Sequence, residues 1–336
     1  VQQGLGTQKD SKKMAQQEAQ SDPPDHIQER NNMTKVQWSG GQEHWTHKED
    51  IRLFLWNKPA SPKVPPAGTI LFVHGSSMAS QPTFDLHVPG RPHSSVMDWF
   101  AERGFDTWCM DNEGYGRSDK HRPINFDISN GADDLAAGSE YILKTTGVQQ
   151  LLVYGISSGA LKAALFAQRH PERVAKLALD AFVWTGEGSP TLAERAKKLP
   201  EFLAKNSRPI DRAFVHSIFN RDHAACADEA TKDAFADAIL TLDSAMPTGT
   251  YVDMCSKLPL VDPTQVKSAT LIMRGEYDGI ASLDDLINFF KLLPCTSKQF
   301  SIMQGISHAS FQQKNYFMVY QILHSFFSQP EPTYKG

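Results

Sequence analysis

The chain reads as an α/β protein: a mainly parallel sheet with helices on both faces and an inserted helical block. Three observations predict this. Short apolar, β-compatible runs alternate with amphipathic runs at helical spacing, and such alternation implies crossover connections between parallel strands. From about residue 185 to 262 the alternation stops, amphipathic segments follow one another without strands, and then it resumes. The stretch "LLVYGISSGALKAALFAQ" (151–168) passes from a strand, through a turn crowded with small residues, into a helix. A length of 336 residues allows one large α/β domain with an insertion, or two ordinary domains. With 40% hydrophobic and 21% charged residues, the chain can bury a sizeable core.

Taken in order, residues 1–33 are rich in Gln, Lys, Asp and Ser and are expected to form a polar, mobile arm. Residues 34–60 hold β-type segments, separated by Gly40-Gly41 and by the polar turn at Lys48-Glu49-Asp50, an antiparallel start. "GTILFVHGSS" is a strand ending in small polar residues, and "SSVMDWFAERG" a helix closed by Gly104. "FDTWCMDNEGYGRSD" is a strand running into a Gly-rich loop. "NGADDLAAGSEYILKTTG" is a helix with Asn130 as a cap and Gly147 as its stop. The elbow at 151–168 follows, then "VAKLALDAFVW" as a strand. After the helical block come "SATLIMRGEYDG" (strand), "SLDDLINFFKLLP" (helix), "SKQFSIMQGISHAS" (strand and loop) and "YFMVYQILHSFF" (helix). The expected division is a core of 34–184 and 263–330, with 185–262 inserted as a cap over the carboxyl edge of the sheet.

Composition excludes several function classes. Lys+Arg 34 against Asp+Glu 38 gives −4, too balanced for a nucleic-acid or anionic-membrane partner. No apolar run approaches the roughly 20 residues of a membrane span, so a soluble protein is expected. "GYGRSD" lacks the third glycine of a dinucleotide cradle, and "HWTH" has no third metal ligand nearby; no cofactor and no metal are expected. The four cysteines form no CxxC pair, Cys109 sits in a strand as a small core residue, and Cys226 and Cys255 are close enough in sequence to form a disulfide. The chain starts at Val1, which suits either a removed export signal or trimming, so both cytoplasmic and exported locations stay open.

The turn at 155–159 spells G-x-S-x-G. A serine at the apex of a strand-to-helix turn takes a strained backbone, flanking side chains would clash, and glycines let the turn close. Ser157 is therefore the candidate nucleophile, with the helix N-terminus beneath it suited to developing negative charge. A hydroxyl needs a base, and the base needs an acid. Of 12 histidines, His308 in "MQGISHAS" lies just after the last apolar strand, at the carboxyl edge. His44, His47, His121 and His223 sit in polar segments as solvated side chains, His170 ends a helix, and His324 packs within one. Asp278 in "RGEYDG" is the first candidate acid, with Asp180, which interrupts "LALDAF", and Glu276 as alternatives. The N–H groups of Ser76, after His74-Gly75, and of Ser158 are candidates for an oxyanion hole. His74 is expected to be structural. Phe182 and Trp184, at the start of the helical block, are candidate walls of a substrate pocket, with ordinary helix packing as the competing reading.

The ordered landmarks "HGSS", "DNEGYGRSD", "GISSG", "RGEYD" and "GISH", spanning about Gly68 to Phe327, resemble the α/β-hydrolase superfamily. The resemblance implies a nucleophile, acid and histidine in the chain order that Ser157, Asp278 and His308 occupy, and a cap inserted after the sixth strand. Asp180 departs from the commoner pattern, since some relatives take their acid from that strand.

The function expected is a cofactor-free serine hydrolase cleaving a carboxylic ester of a moderately sized, largely apolar or aromatic substrate through an acyl-enzyme. Amide, lactone, thioester or carbon–carbon bond hydrolysis would use the same fold, although "HGSSMAS" lacks the longer Gly-rich stretch typical of carbon–carbon hydrolases. A non-catalytic binding protein is a further alternative. A homodimer, with the arm and the 34–60 segments reaching across a partner, is one arrangement these segments suit.

Overall fold

In the computed structural model, residues 38–330 and 332–334 are described. The expected N-terminal arm lies outside them. The described residues build an eight-stranded sheet in the order β1-β2-β4-β3-β5-β6-β9-β10. It opens with a hairpin, β1 (Gln42–Lys48) and β2 (Ile51–Lys58), turned at Glu49, whose φ is 54°. β2 also pairs antiparallel with β4 (Phe105–Met110), and from β4 onward the sheet is parallel through β3 (Gly68–Val73), β5 (Leu151–Ile156), β6 (Val174–Asp180), β9 (Ala269–Gly275) and β10 (Lys298–Met303).

A parallel strand buried on both faces should be apolar at every position, with alternate side chains going to different cores. β5 does this: Leu151 and Val153 join one cluster, and Leu152, Tyr154 and Ile156 join the other. The first cluster lies under α3 (Ile128–Thr146), α4 (Ser158–Arg169) and α10 (Leu283–Leu292). The second lies under α1 (Ser80–Phe84), α2 (Val96–Ala101) and α11 (Tyr316–Phe327), where His324 packs its ring against Trp99, Phe100 and Phe105.

Several local expectations are corrected. The cap of α3 is Asp127, whose side chain accepts from the Asn130 N–H, so the cap lies three residues before the predicted one; Gly147 does close the helix, in the left-handed conformation at φ 76°. The strand read through "VAKLALDAFVW" ends at Asp180, because Ala181 turns to φ 48°. His44 is not simply solvated: its Nδ1 is 3.0 Å from the Tyr141 hydroxyl and its ring packs on Trp108. All four cysteines are free thiols, Cys226 and Cys255 included.

Between β6 and β9 lie α5 (Pro190–Ala196), α6 (Leu199–Ala204), α7 (Arg212–His223), α8 (Glu229–Leu242) and α9 (Gly249–Ser256). The block is not wholly helical: β7 (Ser207–Pro209) and β8 (Ala245–Pro247) pair antiparallel within it. It has a core of its own, in which Val215, Ile218, Phe219, Phe235, Ile239 and Met246 meet Met78, Tyr115 and Ala309 from loops of the main sheet. That shared core seats the insert on the loops at the carboxyl ends of the parallel strands.

Candidate active site

The turn after β5 shows why glycine is required twice. A Cβ on Gly155 would lie 2.4 Å from the Gly159 carbonyl oxygen, and one on Gly159 would lie 2.3 Å from that of Val73. Both clashes are with backbone, which cannot move aside. Ser157 between them has φ 59° and ψ −127°, a conformation costly for a residue with a side chain, at roughly 1–3 kcal/mol. Its N–H donates to the Asp180 carbonyl at 2.9 Å, so the neighbouring strand helps hold the strained turn.

The turn aims the Ser157 hydroxyl at the loop after β10. His308 Nε2 lies 2.9 Å from Ser157 Oγ, and His308 Nδ1 lies 2.9 Å from Asp278 Oδ1, in the loop after β9. An ionised carboxylate can only accept, so Nδ1 carries the proton and Nε2 presents its lone pair to the Ser157 hydroxyl. All three groups are buried, Ser157 at 8% exposure, His308 at 5% and Asp278 at 2%. Burial opposes the Asp278 charge, but His308 beside it and the Ile280 N–H at 3.0 Å outweigh this and hold its carboxyl below the usual range.

The structure separates the three carboxylates that sequence left open. Asp180 shares the sheet face of Tyr154, in register with Ile156, and accepts the Tyr154 hydroxyl at 2.6 Å. It is wholly buried, and desolvation pushes it up to about 7. Glu276 is exposed, and its Oε2 accepts from the Gly305 N–H. Neither meets His308.

Ser76 and Ser158 come together from separate loops, with Ser76 Oγ donating to Ser158 Oγ at 2.6 Å. Ser158 opens α4, where the first N–H groups have no acceptor within the helix. His74 is buried below: the Asn112 N–H donates to its Nε2 at 3.0 Å, which leaves Nδ1 to donate to the Gly75 carbonyl at 2.8 Å. Burial, with Lys162 nearby, pulls its pKa well down, so the ring is neutral.

Phe182 and Trp184 do not line this cavity. Both pack on Phe289 in the core under α10, and Trp184 Nε1 donates to the Val261 carbonyl. The walls come instead from residues that sequence reasoning missed. Met78, Phe214 and Ile218 form an apolar side, while Ser77, Ser217, Arg195, Arg221 and Tyr251 bring polar groups, so the pocket is not largely apolar. Asp222, on α7, places a carboxylate oxygen within 4.8 Å of Asp278 and His308 and pairs with Arg221 at 3.2 Å. No local signal marks these residues, because the wall is assembled from the loop after β3 (Ser77, Met78) and from α5, α7 and α9 of the insert. The cavity is narrow, at about 40 Å³. A larger open depression of about 840 Å³ lies at the amino ends of the strands, lined by Gln150, Lys267 and Lys298 among others, far from Ser157 in the sheet.

The sheet order and its crossovers define an α/β-hydrolase. A family profile described as serine aminopeptidase (S33) matches residues 65–315, and the chain belongs to that family of serine hydrolases. It is 28% identical over 201 residues to a proline iminopeptidase of Neisseria meningitidis, covering 56% of this chain and 58% of the relative; it thus spans about three fifths of the relative's length. Among solved structures it is similar in fold to a soluble variant of the monoglyceride lipase of Saccharomyces cerevisiae (TM-score 0.64, 15% identity, 87% of this chain and 96% of the other). It is similarly related to an esterase of Exiguobacterium antarcticum (TM-score 0.64, 14% identity, 86% and 100%).

Proposed function

We propose that the protein hydrolyses a carboxylic ester of moderate size through an acyl-enzyme, with Ser157 as nucleophile, His308 as base and Asp278 as its orienting acid. The pair of 2.9 Å links from Ser157 to His308 and from His308 to Asp278 carries the reading. Ser157 Oγ attacks the ester carbonyl while its proton passes to His308 Nε2. The carbonyl oxygen becomes an oxyanion, held by the N–H groups of Ser76 and Ser158. The tetrahedral intermediate collapses, the C–O bond to the alcohol breaks, and His308 gives its proton to the departing oxygen. Water then attacks the acyl-enzyme by the same route and releases the acid. Met78, Phe214 and Ile218 offer the apolar part of the substrate a wall. Residues 185–262 serve as the cap that closes over it.

Cleavage of a peptide bond next to a free amino terminus, as the family name describes, is the second reading. The placement of Arg195 and Arg221 in the cavity weighs against it, because a substrate ammonium would face like charge in a poorly screened space.

The test is turnover of p-nitrophenyl esters and of proline p-nitroanilide, by the wild type and by Ser157→Ala. The ester reading expects ester turnover that falls by at least about a thousandfold in Ser157→Ala while the melting temperature holds. A phosphonate adduct mapped by mass to Ser157 gives the same answer without a chosen substrate. Retained ester turnover in Ser157→Ala removes this serine from the mechanism, and preferential cleavage of the anilide favours the second reading.

A further inference from the structure

We propose that the cavity beside Ser157 contains a carboxylate-binding subsite, built from Arg195, Arg208 and Tyr251 and flanked by Arg221, which selects esters that carry a second, free carboxylate. The proposal rests on the ester-hydrolase reading and names its substrate class.

Arg195 comes from α5, Arg208 from β7 and Tyr251 from α9, three elements of the insert that the fold brings together. The guanidinium carbons of Arg195 and Arg208 lie 3.9 and 4.3 Å from the centre of the Tyr251 ring. Tyr251 in turn shares a 3.0 Å hydrogen bond with Ser77, which also accepts from Arg208 at 3.0 Å. Arg195, Tyr251 and Ser77 line the same cavity as Ser157 and His308. The subsite and the reacting hydroxyl therefore share one space.

Arg195 and Arg208 stand close together without a carboxylate. Lys58, by contrast, pairs with Asp85 at 2.6 Å, and Arg91, which also lacks a carboxylate and has a buried Nε without an acceptor, places its two terminal nitrogens on the carbonyls of Phe311, Gln312 and Gln313 and on the Thr231 hydroxyl. Among the described residues, neither Arg195 nor Arg208 has a carboxylate partner. Arg195 Nη1 and Arg208 Nε and Nη1 are buried with no acceptor at all. Donors left this way are costly unless something supplies the acceptor. A planar carboxylate fits the fork of a guanidinium, with two oxygens for two N–H groups. Burial lowers the Arg195 pKa, and Arg221 and Arg208 add like charge to the same space. The local potential also acts on Tyr251: burial alone would raise its phenol, but Arg195, Arg208, the Ser77 hydrogen bond and Arg221 together bring it down to about 7. Among the described residues the carboxylate of Asp222 pairs with Arg221, and the Tyr251 phenol is the acidic group set against both Arg195 and Arg208.

The subsite can be reached from either side of the scissile bond, so two matched pairs are compared. On the alcohol side these are p-acetoxybenzoate and its neutral methyl ester; on the acyl side, the mono-p-nitrophenyl ester of adipate and p-nitrophenyl heptanoate. Preference for the charged member of one pair by about tenfold or more in kcat/KM is expected, that ratio falling toward one in Arg195→Met and in Arg208→Gln and surviving in Arg195→Lys. Equal rates, or preference for the neutral member in both pairs, overturns the proposal, as does a preference that both charge-removing variants keep. If no ester is turned over, the ester-hydrolase reading fails separately, and the subsite is read by calorimetric titration of the wild type with benzoate and with benzyl alcohol. Binding of benzoate alone, lost in Arg195→Met, sustains the subsite; no binding of benzoate removes it.

Discussion

Ser157 and Asp180 are joined by a backbone hydrogen bond, yet their side chains are held in opposite ways. Ser157 faces His308 and the cavity; Asp180 is turned into the sheet and held by Tyr154. With Asp180 raised to about 7, its contribution to stability has a definite sign. An unfolded aspartate ionises near 4. Between about pH 4 and 7 the unfolded chain loses this proton while the folded chain keeps it, so stability falls as pH rises through that window and levels off above it. Asp180→Asn keeps an acceptor for Tyr154 and removes the titration. Its melting temperature is expected to gain on the wild type from about pH 4 to 7, by the equivalent of at most about 4 kcal/mol. A difference that does not change with pH would refute this account. Asp278 has the contrary sign. Its depressed pKa contributes stability present above the unfolded value near 4 and lost as pH falls through the lower folded one. Asp278→Asn is expected to lose about a thousandfold or more in kcat with the fold intact, since the amide no longer selects the productive imidazole tautomer. Glu276→Gln, whose side chain does not reach His308, is expected to stay within a few-fold of wild type in the same assay.

At the scale of elements, the strand–turn–helix of β5 and α4 has almost no tolerance. A methyl group at Gly155 or Gly159 must displace backbone, and Gly155→Ala is expected to cost roughly 3 kcal/mol or more, seen as a lower denaturation midpoint or loss of folded protein. An unchanged midpoint would show that the turn can relax. The start of α3 offers a milder test. Asp127→Ala removes the side chain that accepts from the Asn130 N–H and should cost about 1 kcal/mol, whereas Asn130→Ala leaves that cap in place. The ordering of the two variants in denaturant decides which residue caps the helix.

At the scale of the molecule, the insert narrows the space beside Ser157 to about 40 Å³, so helices of the insert are the parts whose movement would widen it for an ester of moderate size. α5 buries only Thr191 and Leu192, and α6 only Phe202, whereas every residue of β5 is buried. Few buried contacts mean low local opening energies. Amides of α5 and α6 are expected to exchange with solvent much faster than those of β3 and β5, and a phosphonate adduct at Ser157 should slow them. Equal protection in insert and sheet would argue for a route that leaves these helices still. Among the described residues, no helix is long and apolar enough to cross a membrane.

The sequence by itself determined whatever rests on local chemistry. Strand and helix periodicity follow from which side chains must be buried, and Gly155 follows from the turn itself, where a Cβ would lie 2.4 Å from the Gly159 carbonyl oxygen; Gly159 answers to the Val73 carbonyl on a neighbouring strand. The position of His308 could be read because a parallel sheet puts every strand's exit loop at one edge, whatever the details of packing. Orientation and long-range assembly lay beyond its reach. Asp180, Glu276 and Asp278 all lie near that edge in sequence, and only the pleat of β6 and the course of the loop after β9 decide which carboxylate meets the imidazole. Phe182 and Trp184 looked like pocket walls because they are aromatic and begin the insert, yet burial against Phe289 served them better. Arg195, Arg208 and Tyr251 carry no mark in the chain, since three residues on separate short elements acquire a shared field only when those elements pack together.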